Sequence, residues 1–265
     1  MATRQELLKA REELHVAIHA AEEWQDSYKA SPDTFAKLLK LEAALETATG
    51  EYLHELASRA PKYVDWSKLP EPIKADAGPV FNNDDAVWLY EEQLLTAAVI
   101  DLITELIATG AIAGEHLYGI PMGFNTLDEA IMQAARLHVA TMVRGITDTS
   151  RKLIRESVAK SIALGENAHE ATIRLMDIID NPIRAELISQ TEPVNAYQTG
   201  LKHYASSTGA KRKIWDGLVG ACPLCVSAIN QGEIDIDAKF TLSDGREVDR
   251  PACHPRDRCG VIYIY

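Results

Sequence analysis

Cysteine is scarce and confined. The 265 residues hold 4, at Cys222, Cys225, Cys253 and Cys259, which excludes a disulfide-dense secreted scaffold. Long uncharged apolar runs are missing as well. The most apolar window, Leu94 to Gly114, carries Asp101 and Glu105 in its middle, so it reads as a buried helix and no membrane span is expected. Basic residues fall short of acidic ones, 27 against 39, for a net charge of −12. A surface that grips nucleic acid or anionic lipid throughout is thereby excluded, though not a local basic patch. From Ile183 onward the two signs balance, so the acidic excess lies in the first 182 residues. The start, Met1-Ala-Thr-Arg-Gln-Glu, has no apolar stretch of the signal-peptide kind, and a soluble protein in a reducing cytoplasm is expected. No phosphate-binding glycine loop, H-E-x-x-H or G-x-S-x-G motif occurs. What is present is ordinary core-forming composition, 46% hydrophobic, which excludes disorder.

Apolar spacing organises most of the chain into helices. Leu7, Ala10, Leu14, Ala17, Ala21, Trp24 and Tyr28 form one heptad seam, and Leu38, Leu41, Leu45, Ala48 and Tyr52 another. Ser31-Pro32-Asp33 lies between them with the chemistry of a helix start, so residues 1–60 are predicted to be an antiparallel helical hairpin. Residues 61–83, broken by Pro61, Pro70, Pro72, Gly78 and Pro79, read as an extended connector with Trp66 and Phe81 as anchors. A bundle is expected over 84–182. Its first helix, capped by Asn83 or Asp84, is apolar on more than one face and ends at Gly110 and Gly114. Further helices are placed at 126–144, from a cap at Thr147 to Gly165, and from the capping box Asn167/Glu170 to Ile179. Another starts at Asn181-Pro182 and breaks near Pro193, which lacks the donor an interior position needs. The acidic pairs, Glu91/Glu92 among them, read as solvated helix faces.

After Gly209 the period becomes two. Strands are predicted at Lys211–Trp215, Glu233–Ile236 and Val261–Tyr265, with a hairpin on Asp244-Gly245. The fold class is therefore α+β, a mostly helical body with a β-rich module within 183–265. All four cysteines lie in this module, as Cys222-Pro-Leu-Cys225 and Cys253-His254-Pro-Arg-Asp-Arg-Cys259. A C-x-x-C knuckle puts two thiolates on one side of a tight turn, and the later cluster can complete a tetrahedron around zinc. A module this small gains from such a staple, since metal-binding free energy becomes folding free energy. Free thiols without metal are the alternative, with disulfides third given the compartment. Lys211, Arg212 and Lys213 beside Trp215 form a candidate basic patch for partner binding, set against a solvated strand edge.

The order of these features resembles the phage Mu F-like family of minor head proteins, also called phage head morphogenesis proteins. The resemblance runs from Ile146-Thr-Asp-Thr-Ser-Arg-Lys-Leu-Ile and Leu164-Gly165-Glu-Asn through Arg184-Ala-Glu-Leu-Ile-Ser-Gln-Thr-Glu192, Ala196-Tyr197 and Gly200. It continues through Lys213-Ile-Trp215, Cys222-Pro-Leu-Cys225, Gly232 and Phe240 to Pro251-Ala-Cys-His254-Pro255-x-x-Arg258-Cys259. It covers roughly residues 125–265. Three departures stand out: Gln190 replaces the signature's Arg, Pro193 follows its Glu, and Asp257 occupies the first Cys of the terminal motif while Cys253 precedes the His.

The resemblance implies the ligand set Cys222, Cys225, His254 and Cys259, with Cys253 as the alternative fourth ligand. A closed set of four leaves no open coordination position, so the implied role is structural and not catalytic. It also implies a virion component inside the capsid near the portal, present in the host cytoplasm during assembly. Its partners would be the portal protein and capsid or scaffold proteins, with transient contact to packaged DNA. It would act in head assembly, DNA packaging or ejection. Two other readings stand beside it: an ADP-ribosyltransferase-like or other toxin-related enzyme using Glu192, and a zinc-bearing cytoplasmic adaptor.

Overall fold

Spacing and capping chemistry translate into long helices up to residue 207 and into short strands beyond it. The computed structural model describes residues 24–68 and 85–265. A single turn, α1 (Asp26–Lys29), precedes α2 (Pro32–Arg59), α3 (Asp85–Tyr118), α4 (Glu129–Leu164), α5 (Ala168–Ile179) and α6 (Pro182–Ser207). Then come β1 (Arg212–Asp216), α7 (Pro223–Ile229), β2 (Ile234–Asp235), β3 (Phe240–Thr241), β4 (Glu247–Val248) and β5 (Gly260–Ile264). The protein is α+β, a helical body with a small C-terminal β-rich module. The expected seam through Leu7–Ala21, the connector from residue 69 on, the Phe81 anchor and the caps at Asn83 or Asp84 lie outside the described residues.

Several helix boundaries differ from the sequence reading, each because packing overrides a local signal. Gly110 and Gly114 do not end α3. A Cβ on Gly110 would sit 1.9 Å from Tyr197 O, and one on Gly200 of α6 would sit 1.8 Å from Ile107 O, so these glycines let two helices cross with their backbones in contact. Helices 126–144 and 147–164 are one element. Thr147 is no cap, because its hydroxyl donates back to Val143 O and Arg144 O within the helix. Pro193 does not break α6: Val194, Ala196 and Tyr197 beside it are at most 1% exposed, and this burial holds the helix through the lost donor. Residues 60–68 are not extended. They form 3₁₀ turns at Ala60–Tyr63 and Trp66–Lys68, with Trp66 Nε1 donating to Pro61 O at 2.7 Å.

The described chain packs as two compact units, one of residues 47–68, 85–99 and 140–186, the other of 24–46, 100–139 and 187–265. In the first, Leu53, Leu56, Trp88, Leu95, Val99, Ile154 and Leu175 are buried. Glu91, read as solvated, is fully buried there and held by Arg59 through two hydrogen bonds of 2.8 and 2.9 Å, with the Tyr63 hydroxyl on the same carboxylate. The capping box at α5 forms as predicted, with both its bonds at 3.0 Å. α3 is long and apolar enough to cross a membrane by composition, but half of its most apolar window is buried, as in the central helix of a bundle.

The second unit carries the β-rich module. A three-stranded antiparallel sheet has the order β2-β1-β5, with β1 and β5 in register from Arg212↔Ile264 to Asp216↔Gly260. β3 and β4 pair separately across the Asp244-Gly245 turn, where Gly245 takes φ +85°. Trp215, Cys225, Ala228, Phe240, Leu242, Cys253 and Cys259 form a core in which three members are thiols.

Candidate metal centre

Cys222 occupies the N-cap of α7 and Pro223 its first helical position, so the knuckle is a tight turn running directly into a helix. Cys225 lies in the first helical turn, 1% exposed. The second half of the cluster comes from the loop before β5, where Ala252 and Arg256 adopt positive φ of 75° and 61°. Those sparsely populated conformations need a strong local anchor. Asp257 supplies it. Its Oδ2 accepts the backbone N–H of Ala252 and of Cys253, both at 3.1 Å, and its Oδ1 accepts that of Cys259 at 3.0 Å. The loop wraps around this buried carboxylate and turns its side chains toward the knuckle.

The result is convergence. His254 Nε2 lies 3.2 Å from Cys222 Sγ and 3.3 Å from Cys225 Sγ. The ligating atoms of Cys225, Cys253, His254 and Asp257 are all within 4.8 Å of one another. Cys259 joins through a hydrogen bond with the Cys225 thiol. His254 Nδ1 lies 2.8 Å from Pro255 O, a contact that an N–H makes, and this leaves Nε2, which faces the thiols, as the nitrogen that would ligate an ion. Hydrogen bonding with Cys253 and Cys259, reinforced by burial, pushes the Cys225 thiol up. A cation reverses that preference by stabilising thiolates.

These donors fit a tetrahedral ion. Ligand distances of about 2.3 Å to sulfur and about 2.05 Å to nitrogen place the two atoms roughly 3.5 Å apart. The observed separations are close to that without any rearrangement. The cluster can hold a metal ion, and all five side chains singled out in the sequence gather there: Cys222, Cys225, Cys253, His254 and Cys259. Asp257 was missed as a contributor. Its carboxylate is engaged with three backbone N–H groups, so it shapes the loop around the thiols. The visible signal was an acid standing where the resembled motif has a Cys.

The same loop is fastened to helices of its unit. Arg258, 2% exposed, donates to Gln190 O at 3.0 Å and to Glu42 Oε1 at 2.7 Å, and stacks 4.0 Å from the Trp24 ring centre. Arg256 Nε donates to Gln190 Oε1 at 2.7 Å, and Tyr28 OH donates to Cys259 O at 2.8 Å. Gln190 thus accepts from Arg258 through its backbone oxygen and from Arg256 through its side-chain oxygen, and the second of these roles is one an Arg side chain could not take. Glu192 faces neither the loop nor the thiols, and its Oε2 lies 2.8 Å from His138 Nε2.

The basic patch is corrected. Lys213 is fully buried and ion-paired with Asp249, because strand alternation turns it inward. Arg212 is exposed but paired with Glu233, and Lys211 is exposed. Three exposed cations in a row do not exist here. Comparison with known families, curated proteins and solved structures returns no match.

Proposed function

We propose that this chain is a non-catalytic structural component of a tailed-phage head, of the Mu F-like minor head kind, whose C-terminal module is stapled by zinc. The reading rests on the convergence of Cys222, Cys225, His254 and a third thiol in a module whose own apolar core is small. Sulfur and imidazole donors in a closed, partly buried set suit zinc better than magnesium or calcium, which prefer oxygen. A bound ion supplies no reaction there. It cross-links α7 to the loop before β5 and holds the loop that carries Arg256 and Arg258 against their helical partners.

The acidic helical body suits packing against protein and repels the DNA backbone. Lys211 and Arg212 are the remaining candidates for the docking patch, since Lys213 points inward. Elemental analysis of protein purified without chelators tests the staple, and about one zinc per chain is expected. A pull-down with a cognate phage portal ring tests the assembly role. Capture that disappears on chelation supports the reading, and zinc-loaded protein that ignores the portal sinks it.

A further inference from the structure

Asp249 lies in the module at the focus of three cations. Lys202 Nζ reaches both carboxylate oxygens at 2.9 Å, Lys213 Nζ reaches Oδ1 at 2.5 Å and the backbone oxygen at 3.0 Å, and Arg250 Nη1 reaches Oδ2 at 3.0 Å. They come from α6, from β1 and from the segment after β4. Among the described residues no second carboxylate hydrogen-bonds to any of the three, so the cluster carries an excess of two positive charges. Like charges gathered in a partly enclosed place repel unless a counter-charge enters. Burial, with the charges of Lys202 and Arg250, pulls Lys213 below its usual range against the hold of Asp249.

Among the described residues, two donors beside this cluster lack any partner. One is Arg250 Nε. The other is the hydroxyl of Tyr263, a side chain only 2% exposed. Tyr263 is the register partner of Lys213 across β1 and β5, so both side chains stand on the same sheet face. Tyr263 also feels the charges of Asp249 and Arg250. An orphaned buried hydroxyl and an orphaned guanidinium N–H, next to uncompensated cations, are what an oxyanion site offers. Access comes from the side chains of Lys202 and Arg250, which are 25% and 24% exposed while Lys213 is 0% exposed.

We propose that Lys202, Arg250 and Tyr263, backed by Lys213, bind a phosphate group at this face of the module. The two surplus charges match a doubly charged tetrahedral oxyanion. The site is independent of the thiol cluster and of any role in a head.

The test titrates the full chain with inorganic phosphate against chloride at constant ionic strength, reading heat of binding and melting temperature. Saturable binding with one phosphate per chain is expected, with a melting temperature that climbs with phosphate as one-site linkage requires. Lys202→Met and Arg250→Met should each weaken binding about tenfold, the worth of one charge-assisted hydrogen bond. Lys202→Met should also melt no lower than the parent in chloride, because it removes a surplus charge. Absence of saturation, or equal binding by the parent and both variants, overturns the proposal. So does a Lys202→Met protein that melts well below the parent in chloride while phosphate leaves the parent's melting unchanged. A short single-stranded oligodeoxynucleotide that competes with phosphate identifies the source as a nucleic-acid backbone. Phosphate binding without such competition identifies a small phosphorylated molecule.

Discussion

Asp257 and Cys253 are joined twice, by a backbone N–H donated to Oδ2 at 3.1 Å and by a thiol 3.3 Å from the same oxygen. One carboxylate therefore sets both the path of the loop and the direction of a candidate ligand. Asp257→Asn replaces an acceptor oxygen by a donor NH₂ facing a backbone N–H. We expect about 10–100-fold weaker metal binding, the usual cost of removing a group that orients ligands. Competition against a chromophoric chelator measures it, and unchanged affinity would assign Asp257 no orienting role.

Chelation should act locally. Trp215 shares its core with Cys225, Cys253 and Cys259, whereas α2 to α6 hold most of the helical residues. Removing the ion is expected to change near-ultraviolet dichroism and Trp215 emission strongly while far-ultraviolet helix signal falls little, and added zinc should restore both. His254→Ala should mimic the chelated protein. Identical spectra with and without chelator would show that the module stands on its apolar contacts alone.

The crossing of α3 and α6 predicts a contrast among glycines. Gly110→Ala and Gly200→Ala force a methyl into a carbonyl under 2 Å away, and neither backbone can yield cheaply. Each should cost about 1–3 kcal/mol or more, the range for overpacking a close contact. Gly145 lies inside α4 with no atom of the described residues within 4 Å of an added Cβ, so Gly145→Ala should stabilise by roughly 0.5–1 kcal/mol. Urea melts of the three variants decide this, and equal effects would contradict the crossing.

Glu166 and Arg174 predict an acid limb. Hydrogen bonding from Arg174 holds the Glu166 carboxyl down to about 2, and Arg174 is raised in turn. A carboxyl depressed in the folded state contributes stability that is present above its ordinary range near 4.5 and lost as pH falls toward 2. Arg174→Met removes the largest of the contacts that hold Glu166 down, so it should move Glu166 back toward ordinary titration and lessen the pH dependence of stability between those limits. Carbon-detected NMR of the Glu166 carboxyl reads the shift directly.

What was legible in the sequence was chemistry confined to a few neighbouring residues. The Asn167/Glu170 box, the Asp244-Gly245 turn and the Cys222/Cys225 knuckle each depend on atoms three or four residues apart, so composition at those positions suffices. The misread features depend on a distant partner. Gly110 looks like a helix end until Tyr197 occupies the space its missing side chain leaves. Glu91 looks solvated until Arg59 neutralises it in a buried site, and Lys213 belongs to a basic run until alternation turns it toward Asp249. Gathering the thiols required only that both cysteine clusters face one point. How the loop achieves it, through Asp257 and two positive φ angles, is a property of the folded backbone that no residue spacing encodes.

The pairing of β1 with β5 joins segments far apart along the chain, and such contacts form slowly because a long loop must close first. Cys222 follows soon after β1, and Cys259 directly precedes β5. An ion captured by both clusters early in folding would bring the facing ends of these strands together before any of their hydrogen bonds exist. The sheet would then zip outward from the knuckle, and the speed of refolding, as well as its yield, would become a function of free metal.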